Sequence, residues 1–158
     1  MPLLQRFSWT INALVEKVLF VIGAAICIIL FGQVVFRYAG ASLGWSEEVS
    51  RHLLVAITFL GGTVAYKRAS FIGLKGFGHK LGPVVQQAIV VGLQVLTLAC
   101  FGLIAWFGTL YTVKAAEHTS SSLQIPMSIP FSAIPIAAVI LVVHVLADMA
   151  RTFGRKTP

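Results

Sequence analysis

A charged cluster opens the apolar segment GWSEEVSRHLLVAITFLGG, which covers residues 44–62. Glu47 and Arg51 are four residues apart and Glu48 and Arg51 are three apart, so both pairs share one face of a helix. Ser46 precedes the acids and predicts an N-terminal cap, because its hydroxyl can accept a bond from a free backbone N–H. Two interpretations remain open: a local cap with a salt bridge, or charges presented to a partner protein.

The other titratable groups do not suggest a reaction centre. Each acid is predicted at a helix end or in a loop, and no two histidines are predicted at one depth, as a bis-histidine haem requires. The acids are Glu16, Glu47, Glu48, Glu117 and Asp148, and the histidines are His52, His79, His118 and His144. The sequence therefore predicts no catalytic, cofactor-binding or metal-binding residue, and we do not expect an enzyme.

The composition is that of a membrane protein. Of the 158 residues, 58% are hydrophobic and 11% are charged, whereas a soluble domain carries about 25% charged residues. The mean hydropathy of +0.91 agrees. We expect one all-α integral membrane domain over residues 1–158.

Uncharged runs locate four transmembrane helices, since about 20 apolar residues cross the hydrocarbon core. They are predicted near residues 18–38, 46–67, 83–113 and 127–148. Pro83 suits the first turn of the third helix. Of Pro130 and Pro135, one is predicted to start the fourth helix and the other to kink it.

Residues 1–17 are predicted to form a further, amphipathic helix. An apolar stripe opposes a polar one at helical spacing, which is typical of a helix lying at the membrane interface. An extension of the first span is the alternative. The apolar stripe is Leu4, Phe7, Ile11 and Leu14, and the polar stripe is Gln5, Ser8, Asn12 and Glu16.

The basic residues predict the orientation. With four spans, nine of the 12 Lys and Arg residues fall on the side of the two termini and three on the other. Because positive charge is retained in the cytoplasm, both termini are expected there. Trp45 then lies near the outer interface, where indole rings settle.

Small residues recur along three helices and let helix backbones approach closely. Packing within the chain and packing against a second membrane protein are both expected. The series are Gly61 with Ala65, Ala133 with Ala137, and Ala99, Gly102, Ala105 and Gly108.

Three segments carry a resemblance to a known family. WSEEVSRHLL (45–54), FLGGTVAYKR (59–68) and SSSLQIPMSIPFSAIPI (120–136) resemble, in order and spacing, the small DctQ-like membrane subunit of tripartite ATP-independent periplasmic (TRAP) transporters. The resemblance departs at Phe71, where that family usually has a histidine, so no role of that histidine is carried over.

The resemblance implies a scaffold in the bacterial inner membrane. It implies a one-to-one pair with a large multi-helix permease, and docking of a periplasmic solute-binding protein. It also implies sodium-coupled import of an organic anion such as a dicarboxylate or sialic acid. No cofactor is expected on this chain, since sodium would bind the large permease. The candidate partner contacts are Trp45, Glu47, Glu48, Arg51, Gly61, Ala65 and Pro126.

Two other classes of function fit four short spans. One is a self-contained four-helix exporter, which needs a carboxylate embedded in the membrane. The other is the membrane anchor of a respiratory enzyme, which needs paired histidines at one depth. The residue pattern favours neither.

Overall fold

The computed structural model describes residues 2–41, 43–76 and 83–154, with residues 2, 4, 69–76, 83, 84 and 154 described by their backbone alone. Every regular element of this part of the chain is helical. The elements are α1 (Pro2–Tyr38), α2 (Gly44–Gly76), α3 (Pro83–Ala115), the short α4 (Ser128–Phe131) and α5 (Ala133–Gly154).

Within the described residues, four segments are long and apolar enough to cross a membrane, which confirms the predicted all-α architecture with four spans. They are Gln5–Tyr38, Gly44–Arg68, Val85–Ala115 and Ser128–Phe153. α2 continues past its predicted end to Gly76, so helix occupies much of the expected loop. The side chain of Phe71 and all of His79 lie outside the described residues.

The predicted separate helix over residues 1–17 is not found, because α1 is one helix from Pro2 to Tyr38. The middle of its polar stripe is buried. Ser8 and Asn12 are buried against the other helices, whereas Phe7 and Leu14 are exposed. Polar groups on a membrane helix pair with neighbouring helices while the outward face stays apolar. The apolar and polar stripes therefore belong to an extension of the first span.

α5 is the central helix of the bundle. It packs against α1, α2 and α3, while α1 and α2 also pack against each other. Most of the buried apolar side chains in the described residues belong to α5. They are Ala137, Ala138, Leu141, Val145 and Ala147. The short side chains among them allow three helices to approach a single one.

α4 and α5 are separated at Ser132, and Pro135 lies in the first turn of α5. Pro135 has no N–H group, so the carbonyl of Phe131 loses its helical donor. The hydroxyl of Thr112 on α3 donates to that carbonyl at 3.3 Å. The kink predicted at one of the two prolines is found as a break at Ser132, and the carbonyl that Pro135 leaves free is satisfied by a neighbouring helix.

Candidate functional site

Two polar clusters lie on α2, separated by most of its length. The Glu48 cluster comprises Glu47, Glu48, Arg51 and the loop residues Ser120 and Ser122. The Lys67 cluster comprises Lys67 with Ser8, Trp9, His144 and Asp148. From Glu48 to Lys67 the helix rises about 28 Å. That distance is close to the thickness of a hydrocarbon core, about 30 Å.

Glu48 ties α2 to the loop between α3 and α4. Ser120 Oγ donates to Glu48 Oε1, and the backbone N–H of Ser122 donates to Glu48 Oε2 at 2.9 Å. The loop is closed by backbone bonds from Ser120 to Ile125 and from Met127 to His118, each 2.9 Å long. Both carboxylate oxygens of Glu48 are therefore used within the chain, and they hold the loop against the first turn of α2.

The predicted cap at Ser46 is wrong. α2 begins at Gly44, so Ser46 lies inside its first turn. Its buried hydroxyl donates to the carbonyl of Leu43 at 2.7 Å instead of accepting from a free N–H. A donor bond of this kind anchors the start of the helix without capping it.

The predicted salt bridge between Glu47 and Arg51 is present. Arg51 Nη2 lies 3.6 Å from Glu47 Oε1, with the two side chains 72% and 73% exposed. An exposed pair on one helix contributes little to stability. These charges therefore remain accessible at the end of α2.

The other candidate partner contacts lie on two surfaces. Trp45 and Pro126 are exposed beside the Glu48 cluster, where Pro126 pairs with Thr119 in an isolated bridge. Gly61 and Ala65 lie further along α2, and a Cβ atom on Gly61 would meet nothing within 4 Å. Partner contact by these residues remains a prediction.

The small-residue series divide between internal packing and outward faces. Ala137 of α5 is buried. A Cβ atom on Gly108 of α3 would lie 3.3 Å from Ile134 Cγ2, so α5 packs closely there. Ala99 and Gly102, earlier in the same series, are exposed. Ala137 and Gly108 therefore serve the packing of this chain, whereas Ala99 and Gly102 face outward.

The Lys67 cluster joins three helices. Lys67 Nζ donates to Asp148 Oδ1 at 3.1 Å, and the two side chains are 2% and 10% exposed. The ammonium group also lies 5.9 Å from the centre of the Trp9 ring, within the range of a cation–π contact. Ser8 Oγ and His144 Nδ1, both fully buried, are hydrogen-bonded at 2.8 Å.

Further bonds extend this cluster to α3 and to a second ion pair. Gln94 Nε2 of α3 donates to Thr152 Oγ1 at 3.4 Å, and that hydroxyl donates to the carbonyl of Asp148 at 3.0 Å. Arg68 and Glu16 form an ion pair at 3.0 Å. All four long helices are therefore connected at this end of the bundle.

Sequence reasoning missed the Lys67 cluster. It treated Lys67 as a topological charge and Asp148 as a residue at a helix end. The available signal was a pair of opposite charges, Lys67 and Asp148. They lie at those ends of the second and fourth spans that are predicted on the same side of the membrane. Because each charge neutralises the other, the arrangement is suited to holding helices together.

The described residues contain no group of three His, Cys, Asp or Glu side chains placed to hold a metal ion. His144 lies in the Lys67 cluster, whereas His52 follows Glu48 and Arg51 at the start of α2. The two histidines within helices therefore stand at opposite ends of the bundle.

Comparisons with known proteins bear on this architecture. Residues 26–155 match the family model of the DctQ component of tripartite ATP-independent periplasmic transporters. The chain is 30% identical over 150 residues to the isethionate TRAP transporter permease protein DctMQ of Oleidesulfovibrio alaskensis, covering 89% of this chain and 24% of that protein. It is 28% identical over 141 residues to the sialic acid TRAP transporter small permease protein SiaQ of Vibrio cholerae, covering 88% of this chain and 81% of that protein.

The match to the family model extends over all four spans except the first part of α1. It agrees with the resemblance given by the three sequence segments. The chain is therefore a multi-pass membrane protein and belongs to the family of DctQ components, the small permease subunits of TRAP transporters.

Proposed function

We propose that this chain is the scaffold subunit of a sodium-coupled TRAP importer of an organic anion in the bacterial inner membrane. It forms a one-to-one complex with a large permease, which carries the solute and sodium sites. The observation that carries this proposal is the buried pair of Lys67 and Asp148. In this structure the two charges neutralise each other between α2 and α5, which suits a scaffold that holds helices together.

The names of two relatives support an organic anion as the solute. One is named for isethionate and the other for sialic acid, and both compounds carry an acidic group. A dicarboxylate or a sialic acid is the class that we propose for this transporter. The solute binds to the other subunits, so this chain carries no solute selectivity of its own.

The Glu48 end of the bundle helps dock the periplasmic binding protein. Glu48 holds the loop at residues 116–127 in one shape, which leaves Ser121, Gln124 and Pro126 exposed. A loop held on a rigid scaffold is a common form of recognition surface. The excess of basic residues on the side of the termini supports a periplasmic location for this loop.

Reconstitution tests the proposed function. The chain, its proposed large permease partner and the binding protein are purified and placed in liposomes with an inward sodium gradient. We expect uptake of labelled dicarboxylate or sialic acid only when all three proteins are present. Full uptake without this chain would overturn the scaffold role.

The same preparation distinguishes the proposed function from the two alternatives, a four-helix exporter and the membrane anchor of a respiratory enzyme. A four-helix exporter would be recovered as a homo-oligomer and would move solute without the permease. A respiratory anchor would be recovered coloured, with a haem spectrum. A colourless one-to-one complex with the permease is the result that we expect.

Cysteine labelling tests the proposed orientation. In a background without Cys27 and Cys100, an impermeant thiol reagent should label Ser121→Cys in intact cells. Thr157→Cys should be labelled only after the membrane is opened. The reverse pattern would place the termini outside and would remove the Glu48 cluster from the periplasm.

A further inference from the structure

α2 is exposed along one side throughout its membrane span. The exposed residues follow one another at intervals of three or four, so they lie on a single face. We call this side the outer face of α2. It consists of Glu47, Arg51, Leu54, Thr58, Gly62 and Ala65.

The outer face of α2 is a poor surface for lipid. Of the large apolar side chains that are exposed in the described residues, the outer face of α2 contributes only Leu54. α1, by contrast, exposes the large apolar side chains of Phe20, Ile28 and Phe31. Small and polar side chains offer hydrocarbon little contact area, whereas they let another helix backbone approach closely.

The packing of this chain does not account for the small residues of the outer face. A Cβ atom on Gly61 or Gly62 would meet nothing within 4 Å, whereas one on Gly108 would press on Ile134. Gly108 is small because α5 packs against it. The packing of the described bundle therefore does not require the small residues of α2.

One relative indicates a neighbour for this face. This chain covers only 24% of the isethionate TRAP transporter permease protein DctMQ, so most of that polypeptide lies outside the matched segment. Covalent linkage holds two membrane regions side by side at a ratio of one to one and at high effective concentration. The relevant neighbour is therefore a permease region, in preference to lipid or a second copy of this chain.

We propose that the outer face of α2 packs against a transmembrane helix of the large permease. Thr58, Gly62 and Ala65 make the closest approach, and the exposed pair of Glu47 and Arg51 lies at the rim. This inference rests on the proposed function, because it assigns the surface through which the one-to-one complex forms.

Photo-crosslinking tests this surface in membranes that contain a co-expressed, epitope-tagged permease. Benzoylphenylalanine replaces Thr58 in one variant and Phe31, on the exposed side of α1, in the matched control. We expect an adduct with the tagged permease from position 58, roughly tenfold above that from position 31, since crosslinking requires contact at the labelled side chain.

The outcomes separate this inference from the proposed function. If the permease co-purifies but position 58 gives no adduct with it, or an adduct with a second copy of this chain, the assigned surface is wrong and the scaffold role stands. If the wild-type chain recovers no permease, the proposed function fails together with the inference.

A pair of glycine substitutions gives an independent measurement. Gly62→Leu and Gly102→Leu each add a side chain at an exposed position where the chain itself offers open space. We expect Gly62→Leu to lower the recovered permease roughly tenfold, equivalent to about 1.4 kcal/mol, and Gly102→Leu on α3 to leave it unchanged. Equal recovery for both, or loss only with Gly102→Leu, would overturn the proposed surface. Unchanged thermal unfolding of each purified variant excludes a folding defect.

Discussion

The two polar clusters of α2 differ in whether their charges are exposed or buried. At one end, the exposed Glu47 and Arg51 point outward, while Glu48 is bound by hydroxyl and amide donors of a loop. At the other end, Lys67 and Asp148 neutralise each other inside the bundle. The first arrangement leaves charge available to a partner, whereas the second confines it within the chain.

This difference indicates that the two ends of α2 have different roles. A buried ion pair is sensitive to the loss of either partner, because the remaining charge stays away from water. An exposed pair tolerates substitution, because water replaces the missing group. We therefore expect substitutions at the Lys67 cluster to affect folding, and substitutions at Glu47 or Arg51 to affect assembly.

The largest effect is expected for Asp148→Asn. The substitution keeps the shape of the side chain but leaves the Lys67 ammonium buried without its counter-charge. The free energy of unfolding in detergent should fall by about 3–5 kcal/mol. The double variant Lys67→Met with Asp148→Leu should recover most of this loss, since no charge remains buried. Equal losses in the single and double variants would show that the pair is not coupled.

A local effect is expected for Glu48→Gln. An amide accepts through one oxygen only, so glutamine at this position cannot accept from both Ser120 and Ser122. Hydrogen exchange of the amides at residues 118–127 should rise severalfold, and uptake that depends on the binding protein should fall. Glu47→Gln is the matched control, because Glu47 makes no bond to the loop among the described contacts. Equal exchange rates in the two variants would contradict the role of Glu48 in holding the loop.

Local patterns in the sequence were enough to predict the four spans and the Glu47–Arg51 pair. Apolar runs specify membrane helices because lipid demands an apolar exterior over a known length. The pair could be predicted because its members are four residues apart. The role of Glu48 could not, since its donors Ser120 and Ser122 are 72 and 74 residues away.

The buried contacts could not be predicted from local sequence patterns, for the same reason. Lys67 and Asp148 are 81 residues apart, and Ser8 and His144 are 136 apart. The polar stripe of α1 was visible, but amphipathicity does not state whether its polar side faces water or other helices. In this bundle Ser8 and Asn12 face inward, which agrees with the alternative of an extended first span.

Ser8→Ala tests whether the polar side of α1 is buried against the other helices. Its expected effect is smaller. Removing the hydroxyl leaves the buried Nδ1 atom of His144 without this partner, which should lower the free energy of unfolding by about 1 kcal/mol. Thr10→Ala is a suitable control, because the Thr10 hydroxyl bonds only to the carbonyl of Arg6 on the exposed side of α1. Equal and negligible changes for both variants would favour the interfacial helix that the sequence first suggested.

The smallest effect on folding is expected for Arg51→Gln. The exposed pair that it breaks contributes about 0.5 kcal/mol or less to the free energy of unfolding, and less at high salt. Thermal unfolding of the purified chain should therefore be almost unchanged.

For that reason Arg51→Gln and Glu47→Gln report on contacts outside the chain. If these charges lie at the rim of an interface, recovery of the permease or docking of the binding protein should weaken and become less dependent on salt. Solute affinity of the isolated binding protein should stay the same. Normal assembly, docking and uptake in both variants would leave this pair as a surface salt bridge of α2. Whatever recognition takes place at the Glu48 end would then rest on the loop that Glu48 holds.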